Sequence, residues 1–526
     1  MTRTAHYPAA RNAAPPPTTM ATTFSHPELS AAAVVDALEH AGFELEPARR
    51  TTRVVLDTFD GRLFSVGLRL EHHRDPELAL VLRDQSGAPP ARLAGATAPI
   101  WPSGLPSGPL RTRLAEVTQE RALVPHLTLT SHARRAQRRD RRGKATVVAE
   151  LHDNVCADGR GALGWYLEVQ SVAGHADEGE RITTRLLSLG LIADDDDLAS
   201  VVAERCGTSL AGTSSSPTVP LDAHEPALSG YRRVLSNLAD TIEANRPGTI
   251  DDIDEEFLHD LRVAVRRTRS VLKEGKNVLP EVERDRYREE FGTLGQLTSP
   301  ARDLDVYVVG WDDYVAPLGL AGDAGLTKVR REIERRRAAA HRELAKVLAS
   351  DECRALIDGW RTWLADPTVE APSNKRLGPV VARRIEKAQD KVLTDGRAIT
   401  PESPGEHLHD LRKDTKRLRY LLECFGSVFP TDERKAFVGQ LKDLQDNLGA
   451  HQDAEVHLAQ LRDLAHDLHE RAVVDTDALL AMGRLSDQLE RRRAEERSVF
   501  AKRFARYDQK SNRKALANML ARVRNS

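Results

Sequence analysis

Two segments of the chain place one histidine and several basic side chains at helical spacing, a pattern suited to binding an anion. LHDLRVAVRRTR starts at Leu258 and LHDLRKDTKRLR at Leu408, 150 residues later, and seven of the twelve positions are identical. The polar positions of the first segment are His259, Arg262, Arg266, Arg269 and Lys273, and those of the second are His409, Arg412, Lys413, Lys416, Arg417 and Arg419. Duplication of a helical unit is the simplest explanation.

The chemistry of these segments follows from their charge. Cations at i,i+4 destabilise an isolated helix, and an anionic partner would relieve the repulsion. Leu258, Leu261 and Val265 lie one position before the basic residues and predict a buried stripe, so the basic stripe lies about 100° round the helix. The alternative is a solvated face neutralised by acidic residues of other helices. Metal binding by His259 and His409 is disfavoured, because neither segment has the HxxxH spacing of a zinc site.

The same offset continues beyond the two segments and indicates a repeat in the second half of the chain. It pairs Leu294 with Leu444 and Asp303 with Asp453. Long segments of helical period, rich in Leu, Arg, Glu and Ala, dominate this half and predict an antiparallel helical bundle. The first half instead contains short β-rich runs with added helices. The predicted fold is therefore α+β with two domains.

Composition excludes several classes of function. The chain has 526 residues, with 77 Lys+Arg against 79 Asp+Glu, and aromatic residues make up 5%. This balance argues against a broadly basic nucleic-acid binder, and the low aromatic content argues against binding single strands by stacking. No signal peptide or membrane span is recognisable, and the four cysteines are scattered. We expect a cytoplasmic protein that does not bind membranes.

Changes in composition predict the domain boundaries. Residues 1–22 are rich in Pro, Ala and Thr and are expected to be disordered. Residues 23–208 form the β-rich domain, 209–224 a flexible linker and 225–522 the helical domain. Within the β-rich domain, the Pro- and Gly-rich segment from Gly87 to Leu110 is expected to be a loop.

The helical half resembles the CHAD domain, the conserved histidine α-helical domain. The matching motifs are LHDLRVAVRRTRSVL, ARDLDVYV from Ala301, LHDLRKDTKRLRYLLECF and LKDLQDNLGAHQDAEV from Leu441. The resemblance implies two pseudo-symmetric four-helix bundles that bind inorganic polyphosphate. Carried over to this sequence, it assigns contacts to His259, Arg262, Arg266, Arg269, His409, Arg412, Lys416, Arg417 and Arg419.

The first half resembles a divergent CYTH domain, of the triphosphate tunnel metalloenzyme class. The resemblance rests on VVLDTFDGRLFSVGLRLE from Val54, the basic segment SHARRAQRRDRRGK, and WYLEVQS. It implies an antiparallel β-barrel or tunnel in which carboxylates hold Mg²⁺ or Mn²⁺ against phosphate oxygens. Glu150, Asp153 and Glu168 are the candidate ligands if the tunnel is active. Four arginines are candidate phosphate contacts: Arg69, Arg83, Arg135 and Arg139.

The first half departs from the CYTH pattern in ways that argue against catalysis. The opening ExExK strand is absent from TTMATTFSHPE, and the late ExE reads YLEVQ. The leading hypothesis is therefore a polyphosphate-binding protein with a catalytically degenerate first domain. It needs no cofactor and is compatible with a location at polyphosphate granules. One alternative is a Mg²⁺- or Mn²⁺-dependent tripolyphosphatase, and another is a nucleic-acid or nucleotide-binding scaffold.

Overall fold

The computed structural model describes residues 22–84, 91–159, 161–194, 196–213, 218–319, 323–471 and 476–525. The chain divides into two compact units, Met1–Ser214 and Ser215–Ser526. Residues 1–21 of the predicted disordered tail lie outside the described residues, whereas Thr22 begins the first strand. The linker expected at 209–224 is described except for 214–217. Leu210 of this segment is buried in the first unit, and Leu221 packs against the core of the second.

The first unit is an antiparallel sheet with helices on it. Within the described residues, its strands are β1 (Thr22–Ser25), β2 (Glu44–Leu45), β3 (Arg49–Thr58), β4 (Leu68–Asp75), β5 (Ala79–Asp84), β6 (Ala91–Ala94), β7 (Leu123–Arg139), β8 (Ala145–Ala157), β9 (Tyr166–Ser171) and β10 (Ile192–Asp194). Its α-helices in the same ranges are α1 (Ala31–His40), α2 (Arg62–Ser65), α3 (Pro109–Thr118), α4 (Ala176–Ser188) and α5 (Leu198–Arg205). The strand order is β10-β1-β9-β8-β7-β3-β4-β5-β6, with β2 paired to β7.

One face of this sheet lines a cavity of about 370 Å³. Successive side chains of a strand point to opposite faces. In β3, Thr51 and Arg53 therefore face the cavity, while Val54 packs into a separate apolar cluster. The cavity-side face continues to Val55, which lies in one cluster with Val202 of α5. The sheet thus has an apolar cluster at one end and a polar cavity beside it.

The segment from Gly87 to Leu110, predicted as a loop, contains regular elements in its described part, which begins at Ala91, whereas residues 87–90 lie outside the described residues. Ala91–Ala94 forms β6 and pairs with β5, and α3 begins at Pro109. Pro is well tolerated in the first turn of a helix, because the N–H that it lacks would have no intrahelical partner there. A Pro- and Gly-rich composition therefore concealed a short strand, a 3-10 turn at Pro102–Gly104 and the start of a helix.

The second unit is all helical, and the predicted fold class is confirmed for both halves. Its helices are α6 (Ala227–Ile250), α7 (Glu255–Glu274), α8 (Glu281–Leu297), α9 (Ser299–Val309), α10 (Trp311–Val315), α11 (Ala324–Ala349), α12 (Asp351–Ala365), α13 (Leu377–Ala398), α14 (Gly405–Cys424), α15 (Thr431–Glu470), α16 (Thr476–Tyr507) and α17 (Lys510–Asn525). Helix α7 packs on α6 and α8, α14 packs on α13 and α15, and α7 contacts α14.

The helix bounds reproduce the 150-residue repeat. Helices α7 and α14 are 20 residues long and start 150 residues apart, at Glu255 and Gly405. The starts of α6 and α13, and of α8 and α15, differ by the same offset. The copies diverge near Pro300, where α8 gives way to α9, whereas α15 continues through the matching Ala450. Proline lacks the N–H that a continuous helix would use.

The predicted apolar stripe of α7 and the equivalent positions of α14 are buried in one core. In α7 the stripe includes Leu258, Leu261 and Val265, each fully buried, and in α14 it includes Leu411 and Leu418. Because the basic residues lie one position further along each helix, they are held at the edge of this core.

Candidate functional site

Helices α7 and α14 bring four cations together, two from each copy of the repeat. We call Arg262, Arg266, Arg412 and Lys416 the basic cluster; each is partly buried. Burial, followed by the positive charges of Arg412 and Arg266, lowers the pKa of Lys416 to about 7. Burial and Arg266 also lower the pKa of Arg412. These effects show that charges from the two helices act on one another across the contact between α7 and α14.

Carboxylates compensate this cluster only in part. In the described ranges, no carboxylate oxygen lies within 4.0 Å of a side-chain nitrogen of Arg262, Arg266 or Lys416. Arg412 Nη2 lies 3.5 Å from Oδ1 of Asp453, which is exposed. Asp303, the repeat counterpart of Asp453, lies near Arg262, although burial raises its pKa. The cluster therefore retains an excess of positive charge.

Some hydrogen-bond donors of the basic cluster are paired with protein atoms, and others have no partner among the described residues. Arg262 Nη1 donates to the Gly295 carbonyl at 3.2 Å and to Thr298 Oγ1 at 2.6 Å, at the junction of α8 and α9. Burial and Arg266 lower the pKa of Arg262 to about 10. The Nε atoms of Arg266 and Arg412 are buried and have no hydrogen-bond partner among the described residues. Unpaired buried donors are costly, so a ligand that accepts hydrogen bonds here would be stabilised.

The two histidines occupy equivalent places near the start of α7 and α14. His409 Nδ1 is hydrogen-bonded to Oε1 of Gln452, on α15, and both His259 and His409 are partly buried. A ring nitrogen engaged by an amide fixes the orientation of the imidazole. Each copy of the repeat thus contributes one histidine at the start of its basic helix.

The other predicted residues have different surroundings. Arg269 is exposed beside Gly292 of α8, and Lys273 is exposed near the end of α7. Lys413 pairs with Asp410 at 3.0 Å on the solvent side, and Arg419 pairs with Glu423. The exposed Lys413–Asp410 pair contributes little to stability and can be exchanged for contacts with a ligand.

Arg417 lies in an ion pair that joins the two copies. It pairs with Glu274 of α7, a carboxylate that is 2% exposed. In the opposite direction, Arg267 of α7 pairs with Glu423 of α14 at 2.6 Å. Arg267 is the repeat counterpart of Arg417, but it was not among the residues predicted from the sequence. The two bridges fix the contact between α7 and α14 that assembles the basic cluster.

Arg302 is a further cation near the site and was not among the residues predicted from the sequence. It is partly buried, its Nη1 donates to the Glu255 carbonyl at 3.3 Å, and its charge contributes to lowering the pKa of Arg262. It lies in the ARDLDVYV motif, which the sequence analysis used only to support the resemblance. The position of that motif on α9, opposite the start of α7, could not be read from the sequence.

In the first unit, two of the three candidate metal ligands come together. Glu150 and Glu168 are register partners on β8 and β9 and line the cavity. Asp153 does not join them; its Oδ1 accepts a hydrogen bond from Asn154 N. Residues 150 and 153 lie an odd number of positions apart, so a regular strand directs their side chains to opposite faces. His152 takes the third place, and donor atoms of Glu150, His152 and Glu168 lie within 4.8 Å of one another.

A buried arginine lies among these three side chains. Arg53 is 5% exposed, with Nη2 2.8 Å from Glu150 Oε1 and Nη1 3.4 Å from Glu168 Oε2. Burial raises the pKa of Glu168, but the hydrogen bond from His152 and the charge of Arg53 lower it to about 2. The Arg53 pKa is itself raised, because Glu150 and Glu168 outweigh the effect of burial. Both carboxylates are therefore ionised and already paired.

Of the four arginines proposed as phosphate contacts, two line the cavity. These are Arg83, which pairs with Glu71 at 3.2 Å, and Arg135, which is exposed. Arg69 instead pairs with Asp197 at 3.2 Å, and Arg139 pairs with Glu44 at 3.3 Å. Of the described residues that line the cavity, five are arginines and five carry carboxylates. The cavity is thus nearly balanced in charge, unlike the basic cluster.

Comparisons with known proteins agree with the geometry of the second unit. Residues 233–462 match the family model of the CHAD domain. Uncharacterized proteins from two strains of Mycobacterium tuberculosis are 28% identical over 312 residues. This match covers 56% of the present chain, which spans only about half the length of these curated relatives.

Solved structures resemble each half of the chain. The CHAD domain of the plant Ricinus communis is 24% identical, with a TM-score of 0.47, and the match covers 55% of this chain and 96% of that one. A putative adenylyl cyclase from Hippeastrum, described as having a dominant triphosphatase activity, is 16% identical, with a TM-score of 0.26, over 36% of this chain and 96% of that one.

Within the described ranges, no helix combines the length and hydropathy needed to cross a membrane.

Proposed function

We propose that this chain, whose residues 233–462 form a CHAD domain, binds inorganic polyphosphate through the basic cluster. The proposal rests on one observation: four cations lie close together, and few carboxylates compensate their charge. They are Arg262, Arg266, Arg412 and Lys416. A linear polyanion supplies closely spaced negative charges and acceptor oxygens. It would restore the charge of Lys416 and satisfy the unpaired Nε donors of Arg266 and Arg412.

The first unit is proposed to be non-catalytic. Its cavity brings Glu150 and Glu168 together but not Asp153, and the two carboxylates are paired with Arg53. A tunnel hydrolase would need those carboxylates free to hold a divalent cation against the phosphates. We therefore place polyphosphate on the helical unit, in a cytoplasmic protein that could associate with polyphosphate granules.

Removal of two cations from the basic cluster tests this proposal. The full chain and the variant R266A/K416A are titrated into fluorescently labelled polyphosphate at fixed ionic strength, and anisotropy reports binding. Charge-assisted hydrogen bonds contribute about 1.5–3 kcal/mol each, so we expect the dissociation constant to rise by roughly tenfold or more. Far-ultraviolet circular dichroism verifies that the helices remain.

The matched control is K387A/K435A, which removes two exposed lysines of α13 and α15 and therefore at least as much positive charge as R266A/K416A. Its affinity should stay close to that of the wild type. An equal loss in both double variants would mean that only net charge matters and would defeat the assignment to the basic cluster.

Competition with single-stranded RNA separates polyphosphate from the nucleic-acid alternative. At equal phosphate concentration, RNA has fewer charges per unit length and bulky bases, so we expect polyphosphate to remain bound. Displacement by RNA at equimolar phosphate would favour a nucleic-acid scaffold instead.

A further inference from the structure

The carboxylates in the cavity of the first unit are arranged as metal ligands but hold an arginine. Glu150, His152 and Glu168 offer two carboxylates and one imidazole with their donor atoms within 4.8 Å. Oxygen and imidazole ligands of this kind suit Mn²⁺ or Zn²⁺. The guanidinium of Arg53 reaches both carboxylates from β3, at 2.8 Å and 3.4 Å. Arg53 Nη2 also lies 3.3 Å from His152 Nε2, so the guanidinium contacts all three side chains of the group.

Neighbouring groups hold this arrangement in place. His152 Nδ1 is hydrogen-bonded to Ser131 Oγ at 3.1 Å, and Ser131 Oγ to Thr51 Oγ1 at 2.8 Å. Thr51 and Arg53 lie on the same face of β3, so this chain of hydrogen bonds returns to the strand that supplies the guanidinium. Arg53 is nearly inaccessible to solvent and cannot swing into water without breaking two ion pairs. Its charge is thus a fixed part of the cavity.

We propose that Arg53 occupies the position of a divalent cation, so that Glu150, His152 and Glu168 form a latent metal site that Arg53 keeps closed. A second cation placed between the same carboxylates would lie against the guanidinium, and the repulsion would oppose its binding. Removal of the guanidinium alone would leave two partly buried carboxylates facing each other, which a divalent cation would then stabilise. Arg53 is therefore the one residue that makes this group unsuited to the metal expected of a tunnel enzyme.

Binding of Mn²⁺ to the full chain tests this inference, with electron paramagnetic resonance reporting free Mn²⁺. Wild type and E168Q should bind the same number of ions, because the site is closed in both. R53M should bind one additional Mn²⁺ per chain, which R53M/E168Q loses. R53K keeps the positive charge and is the matched control; it should behave as the wild type does.

Thermal unfolding gives a second measurement of the same site. We expect Mn²⁺ to raise the melting temperature of R53M but not that of wild type or R53K, since only R53M lacks a positive charge between the two carboxylates. An R53M chain that folds only when Mn²⁺ is present would also support the inference.

Two results would overturn it. One is a Mn²⁺ site in the wild type that E168Q removes, a comparison that does not depend on whether R53M folds. The other is a folded R53M that binds no more Mn²⁺ than wild type does.

Discussion

Lys416 is the residue of the basic cluster whose charge the fold opposes most strongly. Burial and the neighbouring Arg412 and Arg266 lower its pKa to about 7, against about 10.4 for an unperturbed lysine. In the free protein it therefore loses its proton near neutral pH. A bound polyanion would favour the protonated form, so binding and proton uptake are coupled.

This coupling predicts that polyphosphate affinity falls as pH rises. Between pH 7 and pH 9 the internal phosphates stay fully ionised and unperturbed histidines are mostly neutral, whereas free Lys416 passes from about half protonated to nearly neutral. With a pKa of about 7, the dissociation constant should rise by roughly tenfold or more across this range. Anisotropy titrations at constant ionic strength measure it.

The matched variant is K416R, because a guanidinium stays charged throughout this range. Its affinity should change little between pH 7 and pH 9. If K416R shows the same dependence as wild type, another group titrates and the role given to Lys416 is wrong.

At the scale of single residues, the sequence predicted which side chains carry the charge but not which of them meet. Periodicity identified Arg262 and Arg412 within their own helices, and the repeat related them. The approach of Arg266 to Arg412 and Lys416 depends on the packing of α7 against α14, which helical spacing does not contain. Arg53 was missed for a similar reason: one arginine in a β-rich run gives no sign of the carboxylates that β8 and β9 bring to it.

At the scale of elements, two reciprocal ion pairs fix α7 against α14. Arg267 on α7 pairs with Glu423 on α14, and Arg417 on α14 pairs with Glu274 on α7. Glu274 is 2% exposed and also lies 4.0 Å from Arg384 Nε. Breaking a buried pair costs more than the pair itself contributes, because one charge is left without its partner.

We therefore predict that R417A lowers the free energy of unfolding by about 3 kcal/mol. Chemical denaturation followed by circular dichroism measures the change. The resemblance to the CHAD family assigns Arg417 a polyphosphate contact, so its affinity is measured beside its stability. The structure predicts that R417A lowers the free energy of unfolding more than it lowers the free energy of polyphosphate binding.

The double variant R417M/E274M supplies the control. Replacing both charges with apolar side chains of similar size removes the buried unpaired carboxylate, so most of the lost stability should return. A normal unfolding free energy in R417A would show that this ion pair does not hold the two helices together.

Repetition made the helical elements easier to predict than the strands. The offset between Leu258 and Leu408 anticipated two equivalent helices, because duplicated sequences with the same apolar period pack in the same way. Strand β6, at Ala91–Ala94, was missed because its four residues adjoin a Pro- and Gly-rich segment. Pairing with β5 stabilises it, and such long-range pairing overrides local composition.

For the whole molecule, the near balance of 77 basic and 79 acidic residues conceals an uneven local distribution. The cavity of the first unit is lined by equal numbers of arginines and carboxylate side chains, whereas the basic cluster of the second unit has an excess of cations. Net charge alone would have excluded a polyanion partner. The local excess of positive charge on α7 and α14 supports such a partner.

A structure of the full chain soaked with polyphosphate tests the central claim most directly. The account predicts phosphate density between α7 and α14, with oxygens at hydrogen-bond distance, about 2.7–3.2 Å, from Arg262, Arg266, Arg412 and Lys416. Phosphate density in the cavity beside Arg83 and Arg135, with none on the basic cluster, would contradict it.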